Sequence, residues 1–217
     1  MAEHLFGEHG VENVSLRQIR LAAGQRNAAA VQYHFGDRDG VLRALAERHT
    51  ARIAELTPAR PTDGAVLDGL DDRALVELLL RPIPDYVAQG PSARSWTKVL
   101  ADRVAHPQLG YETMREGTPE ETMALAMALY RRLAARMPPA VAGSRLLAVS
   151  QFSIQQSAAR ASLLDSPSPA RVIVEHEAFV QDLVDLCTGA LFAPVHPAAA
   201  EAYASLTLID PGEPAPG

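Results

Sequence analysis

SLRQIRLAAGQRNAAAVQYHFGDRDGVL, residues 15–42, reads as two short helices around a tight glycine turn, followed by a third helix. Ser15 with Gln18 three residues on makes a capping box, and Val14 against Ile19 supplies the hydrophobic staple, so the first helix begins at Ser15. Leu16, Ile19 and Ala23 share one face, Arg17 and Arg20 lie outward, and Gly24 tolerates the positive φ of a helix end. The second helix starts at Asn27 as cap and runs through Ala28, Val31, Gln32, Tyr33 and His34 to Phe35, with Gly36 as its stop. Its three alanines leave a low, smooth leading face, suited to entering the DNA major groove. Asp37 caps a third helix from Arg38 to about Leu56, and the first N–H groups of that helix, with the Arg38 guanidinium, form a phosphate site.

The joined pattern LFGEHGVENVSLRQIRLAAG and VQYHFGDRDGVL resembles the DNA-binding domain of the TetR family of bacterial transcriptional regulators over about the first fifty residues. The resemblance implies an all-α protein: an N-terminal helix-turn-helix DNA-binding domain, its first helix truncated, and a C-terminal helical ligand-binding and dimerisation domain. It also implies a ligand-responsive repressor that binds a palindromic operator in double-stranded DNA as a homodimer and answers to a small-molecule effector. Carried onto this chain, the DNA-contacting set is Ser15, Arg17, Arg26, Asn27, Ala28, Gln32, Tyr33, His34 and Arg38. Four features depart from the family pattern: the first helix lacks the upstream basic turns and keeps only Leu5 and Phe6 as apolar anchors, Gln32 replaces an aromatic residue, Arg38 replaces Lys, and the AGQRN turn is about one residue longer.

Composition bounds the remainder. A chain of 217 residues, 47% of them hydrophobic, is long enough for one small and one larger helical unit. The expected division is a DNA-binding domain at 1–50, a ligand-binding and dimerisation domain at 51–193, and an Ala/Pro-rich disordered tail at 194–217. No membrane-spanning run or signal peptide is read, and the lone Cys187 permits no intramolecular disulfide, so a cytoplasmic protein is expected. The net charge is −6, yet residues 1–50 hold six arginines against six acidic groups, while residues 51–217 hold fourteen Lys plus Arg against twenty. The acidity therefore sits outside the reading head, although a neutral head is less basic than DNA binding favours.

Beyond Leu56, residues Thr57 to Asp71 read as a surface loop, and Asp71 or Asp72 caps a helix that Pro82 and Pro84 break before Tyr86. Further helices are expected at Ser92–Ala105, Pro119–Met137, Ala140–Asp165 and Ala170–Phe192. The last carries two apolar stripes, Val172, Phe179, Leu183 and Leu186 beside Ile173, Val180, Val184 and Leu191, wider than one neighbour requires. The helix before it is rich in small residues (Ser150, Ser153, Ser157, Ala158, Ala159, Ala161) that allow close approach, so the pair suits a homodimer interface. Periodicity alone leaves burial of both stripes within a monomer equally open.

Tyr86, Trp96, Met123, Met127, Tyr130, Phe152 and Gln155, with Met114, are the candidates for an apolar effector pocket, although residues of these types are more often plain core, and His106, before Pro107 at a helix end, is a weaker candidate than any of them. No phosphate-binding glycine loop, nucleophile elbow or HExxH pattern occurs, and Glu175, His176 and Glu177 point around a helix. Neither a cofactor, a metal ligand set nor a catalytic residue is read. The competing function is a helical small-molecule-binding protein whose head no longer reads DNA; a catalytic C-terminal domain is the third.

Overall fold

In the computed structural model the described residues, 1–25, 30–105, 118–166 and 172–204, form helices joined by short turns, with no strand among them. The first unit comprises α1 (Ala2–His9), a 3-10 turn (Val11–Asn13), α2 (Leu16–Ala22), α3 (Ala30–Phe35) and α4 (Arg38–Leu56). Its boundaries follow local chemistry. The Gln18 N–H donates to Ser15 Oγ, and the Ser15 N–H donates to Gln18 Oε1 at 2.8 Å, which closes the expected capping box. Gly24 at φ 65° and Gly36 at φ 74° adopt backbone that other residues rarely do, ending α2 and α3. Asp37 accepts from the Gly40 N–H at 2.7 Å and opens α4.

The second unit differs from expectation in three places. The segment 57–71 is not all loop: Asp63 accepts from the Ala65 N–H and opens α5 (Gly64–Gly69), which buries Leu67. The helix expected from Ala170 begins six residues later as α11 (His176–Phe192), where Glu175 accepts from the Ala178 N–H. Val172 and Ile173 therefore fall outside it, Val172 being 88% exposed, and only Val180, Leu183, Val184, Cys187 and Leu191 form its buried face. The stretch expected as a disordered tail at 194–217 contains α12 (Pro197–Ala204), started by His196, whose carbonyl accepts from the Ala199 and Ala200 N–H groups.

Between these lie α6 (Asp72–Leu80), capped by Asp71, then α7 (Pro82–Val87) and α8 (Pro91–Ala105). Next come α9 (Glu120–Ala134), with Pro119 as its cap, and α10 (Pro139–Asp165). Pro82 ends α6 by removing a donor and serves as the first residue of α7, so the expected break is present. Leu75, Val76, Leu125, Leu129, Leu133, Val180 and Val184 build the body's core from α6, α9 and α11. Each such fully buried aliphatic side chain contributes roughly 1.5–3 kcal/mol.

The core of the first unit is not closed by residues 1–50. Phe6, Val14, Ile19, Val41 and Leu45 pack with Tyr86, Ala93, Trp96 and Val99 from α7 and α8. The other side of α8 lies on α10, where Ala101, Val104, Ile154 and Ala158 form a tight cluster. Helix α8 is thus the joint between head and body.

Candidate nucleic-acid interface

Helices α2 and α3 flank a turn that begins at Ala23, and the carbonyl of Gln25 accepts from Arg20 Nη1 at 2.9 Å. Helix α3 presents a strip of polar and aromatic groups to solvent: Gln32, Tyr33, His34 and Phe35 are all exposed, Tyr33 by 85%. The Tyr33 and His34 rings meet edge-on at 5.4 Å.

The angle between α3 and α4 is set by Gly40. A Cβ there would stand 1.8 Å from the Phe35 carbonyl oxygen, so only glycine lets the two helices approach so closely. Gly40 carries no cap or turn signal in the local sequence. Arg43 carries none either; it is an exposed cation on α4 that, like Arg17 on α2, makes no ion pair among the described residues.

Other candidates are partly occupied. Arg38 donates from Nη2 to the Glu12 carboxylate at 2.7 Å and from Nη1 to the Glu12 carbonyl, so its guanidinium braces the 3-10 turn. Its Nε is buried and has no partner among the described residues. Ser15 Oγ is held in the capping box. Arg26, Asn27 and Ala28 lie outside the described residues.

The seven effector-pocket candidates do not converge. Tyr86 and Trp96 sit at the head–body joint around His49, a buried histidine of α4 that the sequence reading did not single out. The His49 ring stacks on Trp96, centroids 4.7 Å apart and planes 1° from parallel, and its Nδ1 lies 2.5 Å from the Tyr86 hydroxyl. Burial first, and the neighbouring Arg48 charge second, push His49 down to about 4. A signal existed: His49 continues the stripe Val41, Leu42 and Leu45, so it was placed to be buried. Tyr130 packs on the body core, while Met123 and Met127 face outward on α9. Phe152 is 42% exposed, and Gln155 donates to the Ala101 carbonyl, tying α10 to α8. Met114 and His106 lie outside the described residues.

The small residues of α10 serve the protomer itself: Ser153, Ser157, Ala158 and Ala161 are buried. The exposed face is instead Ser144, Ala148, Phe152, Gln155, Ala159 and Ser162 at helical spacing. Helix α11 exposes Ala178, Asp182, Leu186 and Gly189 in a similar row. Among the described residues no group of three His, Cys, Asp or Glu could hold a metal ion, and no single helix is long and apolar enough to cross a membrane.

No protein-family model matches the chain. Three curated proteins do, each an HTH-type transcriptional repressor AcnR. That of Corynebacterium glutamicum is 38% identical over 55 residues, covering 25% of this chain and 29% of that repressor. That of Corynebacterium efficiens is 39% identical over 54 residues, covering 25% and 28%. That of Corynebacterium diphtheriae is 34% identical over 55 residues, covering 25% and 28%. The match thus spans less than a third of the length of each repressor. It falls on the N-terminal part of the chain, the stretch whose motifs resemble the TetR family. Among solved structures, Salmonella enterica GusR is similar at a TM-score of 0.46 and 14% identity, over 88% of this chain and 91% of that one.

Proposed function

We propose that the chain is a DNA-binding transcriptional regulator, a repressor that works as a homodimer on a palindromic operator and is released by a small effector. The observation that carries the reading is the exposed strip of α3, held at a fixed angle by Gly40 and flanked by the unpaired cations Arg17 and Arg43. A short helix with exposed Gln32 and Tyr33 suits base edges and the thymine methyl group, while the two arginines suit phosphates on either side. His34 contacts the backbone beside Tyr33. Arg26, Asn27 and Ala28 extend the same helix-turn-helix by resemblance, and Arg38 and Ser15 position α4 and α2 through their bonds to Glu12 and Gln18.

A homodimer through the outer faces of α10 and α11, with Phe152 and Leu186 as its apolar anchors, presents two α3 helices to successive major grooves. Residues 1–50 are the reading head and 51–193 the effector and dimer unit. The head seats on α8, and α8 on α10, so an effector bound more tightly by one arrangement of the body shifts the spacing of the heads. No catalytic role is proposed.

The experiment is selection of short genomic fragments by the purified chain at a fixed, stated salt concentration. Enrichment of an inverted repeat with half-sites about one helical turn apart supports the reading. Enrichment of nothing, with a folded protein that is still stabilised by small molecules, supports the second reading of a head that no longer reads DNA; the even charge balance of residues 1–50 is what favours that alternative.

A further inference from the structure

Between the C-terminal half of α4 and the turn from α7 to α8 lies an open cleft of about 540 Å³. One wall carries Arg48 and Arg52, a helical turn apart, their side chains 56% and 54% exposed. The other carries Tyr86 and, past the Gly90 turn at φ 129°, the first residues of α8. Ala51, Pro91 and Ala93 supply apolar surface between them.

The hydrogen-bond pattern leaves donors unused. Arginine only donates, so His49 Nε2 must accept from Arg48 Nη2 at 3.0 Å, and the ring proton is therefore assigned to Nδ1. Nδ1–H donates to the Tyr86 oxygen at 2.5 Å, so the hydroxyl hydrogen of Tyr86, a side chain only 5% exposed, has no acceptor among the described residues. Arg48 makes both of its contacts, to His49 and to Glu3, through Nη2. Its Nη1 and Nε are without a protein partner among the described residues. Helix α8, fifteen residues long, begins at the same cleft, with Ser92 and Ala93 of its first turn among the lining residues.

Two carboxylates face these cations. Glu55 pairs with Arg52 at 2.7 Å in an exposed i,i+3 contact, which contributes little and yields easily. Glu3 lies 3.1 Å from Arg48 and also accepts from the Ser92 hydroxyl at 3.0 Å, so it stays in place when Arg48 engages a second anion.

From this surplus of donors we infer that the cleft binds a small organic carboxylate, its oxygens taken by Arg52, Arg48 Nη1 and the Tyr86 hydroxyl, its apolar part against Ala51, Pro91 and Ala93. The walls belong to the last helix of the head and to the joint, so occupancy fixes one against the other. Only that consequence rests on the proposed function; the binding claim stands without DNA.

The test uses benzoate and phthalate as probes, with benzamide as the uncharged control, by calorimetric titration and thermal unfolding of the full chain. A carboxylate is expected to bind one per chain and raise the melting temperature, and benzamide to do neither. Arg52→Gln and Tyr86→Phe should each weaken binding tenfold or more. Because Arg52 is exposed, Arg52→Gln retains the wild-type circular dichroism and remains informative even if Tyr86→Phe loosens the joint. No binding of either carboxylate at millimolar concentration, equal binding of benzamide, or unchanged binding in Arg52→Gln would overturn the inference. DNA is absent throughout, so a chain that fails to bind DNA leaves each of these outcomes as decisive as before.

Discussion

The Lys98 ammonium of α8 stands 2.9 Å from the Glu8 carboxylate of α1, joining the joint helix to the head. The same ammonium lies 2.8 Å from Asp165 at the end of α10, which Arg94 also holds. Burial opposes the charge on Lys98, but the hydrogen bonds and charges of Asp165 and Glu8 outweigh it and raise its pKa. The only lysine in the chain thus ties head, joint and body at one point.

Replacing Lys98 with Met leaves Asp165 with Arg94 alone and takes from Glu8 its ion-pair partner. The expected loss is about 1–3 kcal/mol, because a partly buried charge is stranded. Glu8→Gln, at the more exposed end, should cost less than about 1 kcal/mol. Chemical denaturation of both single variants and the double variant measures the coupling; strict additivity would mean the bridge contributes nothing.

Gly36, at the end of α3, and Gly40, in the first turn of α4, make different predictions although they are four residues apart. Gly36→Ala meets open space and bears only the strain of φ 74°, about 1–2 kcal/mol. Gly40→Ala drives a methyl into the Phe35 carbonyl and forces α3 off α4. The second variant should lose DNA binding even where it remains folded, whereas the first should keep it; equal behaviour would show that the α3–α4 angle is not set at Gly40.

Acid stability follows from His49. Its pKa falls from an ordinary value near 6.5 to about 4 in the fold, through burial first and Arg48 second. Below the ordinary value the unfolded chain takes up a proton that the folded chain refuses, so stability is lost as pH falls from about 6.5 towards 4. Between pH 7 and pH 5 the loss should be about 2 kcal/mol. Glu3 adds nothing in that window: burial raises it, yet its backbone bond, Ser92 and Arg48 hold it at about 2, so its contribution fades only below its ordinary 4.5. Thermal unfolding across this range should show a slope that is largely absent in His49→Gln.

Arg17 and Arg43 should act as phosphate anchors. Alanine at either position should weaken binding to all DNA sequences alike and lower the salt dependence of affinity by about one counterion each. A change in sequence preference in place of a uniform loss would assign them to base reading.

The head was legible because its signals are local. Ser15 with Gln18, Gly24, Gly36 and Asp37 declare helix ends through hydrogen bonds that close within a few residues, and each does so in the fold. Features set by distant packing were not legible. The role of Gly40 depends on where Phe35 comes to rest, and the grouping of Tyr86 and Trp96 with His49 depends on α8 folding onto the head, so neighbours in an imagined pocket ended in separate places. The small residues of α10 announced close approach correctly but not its partner, which proved to be α8 of the same chain. Helices α5 and α12 are short and lie among Pro, Gly and Ala, where periodicity has too few turns to register.

The most direct measurement is the affinity of the chain for its selected DNA fragment, by fluorescence anisotropy at fixed salt, compared with the Gln32→Ala/Tyr33→Ala variant. Both side chains are exposed, so the variant should keep the melting temperature and oligomeric state of the parent. The account predicts loss of fragment binding by a hundredfold or more with fold and assembly unchanged. Binding retained at the parent's affinity would contradict the claim that α3 reads DNA.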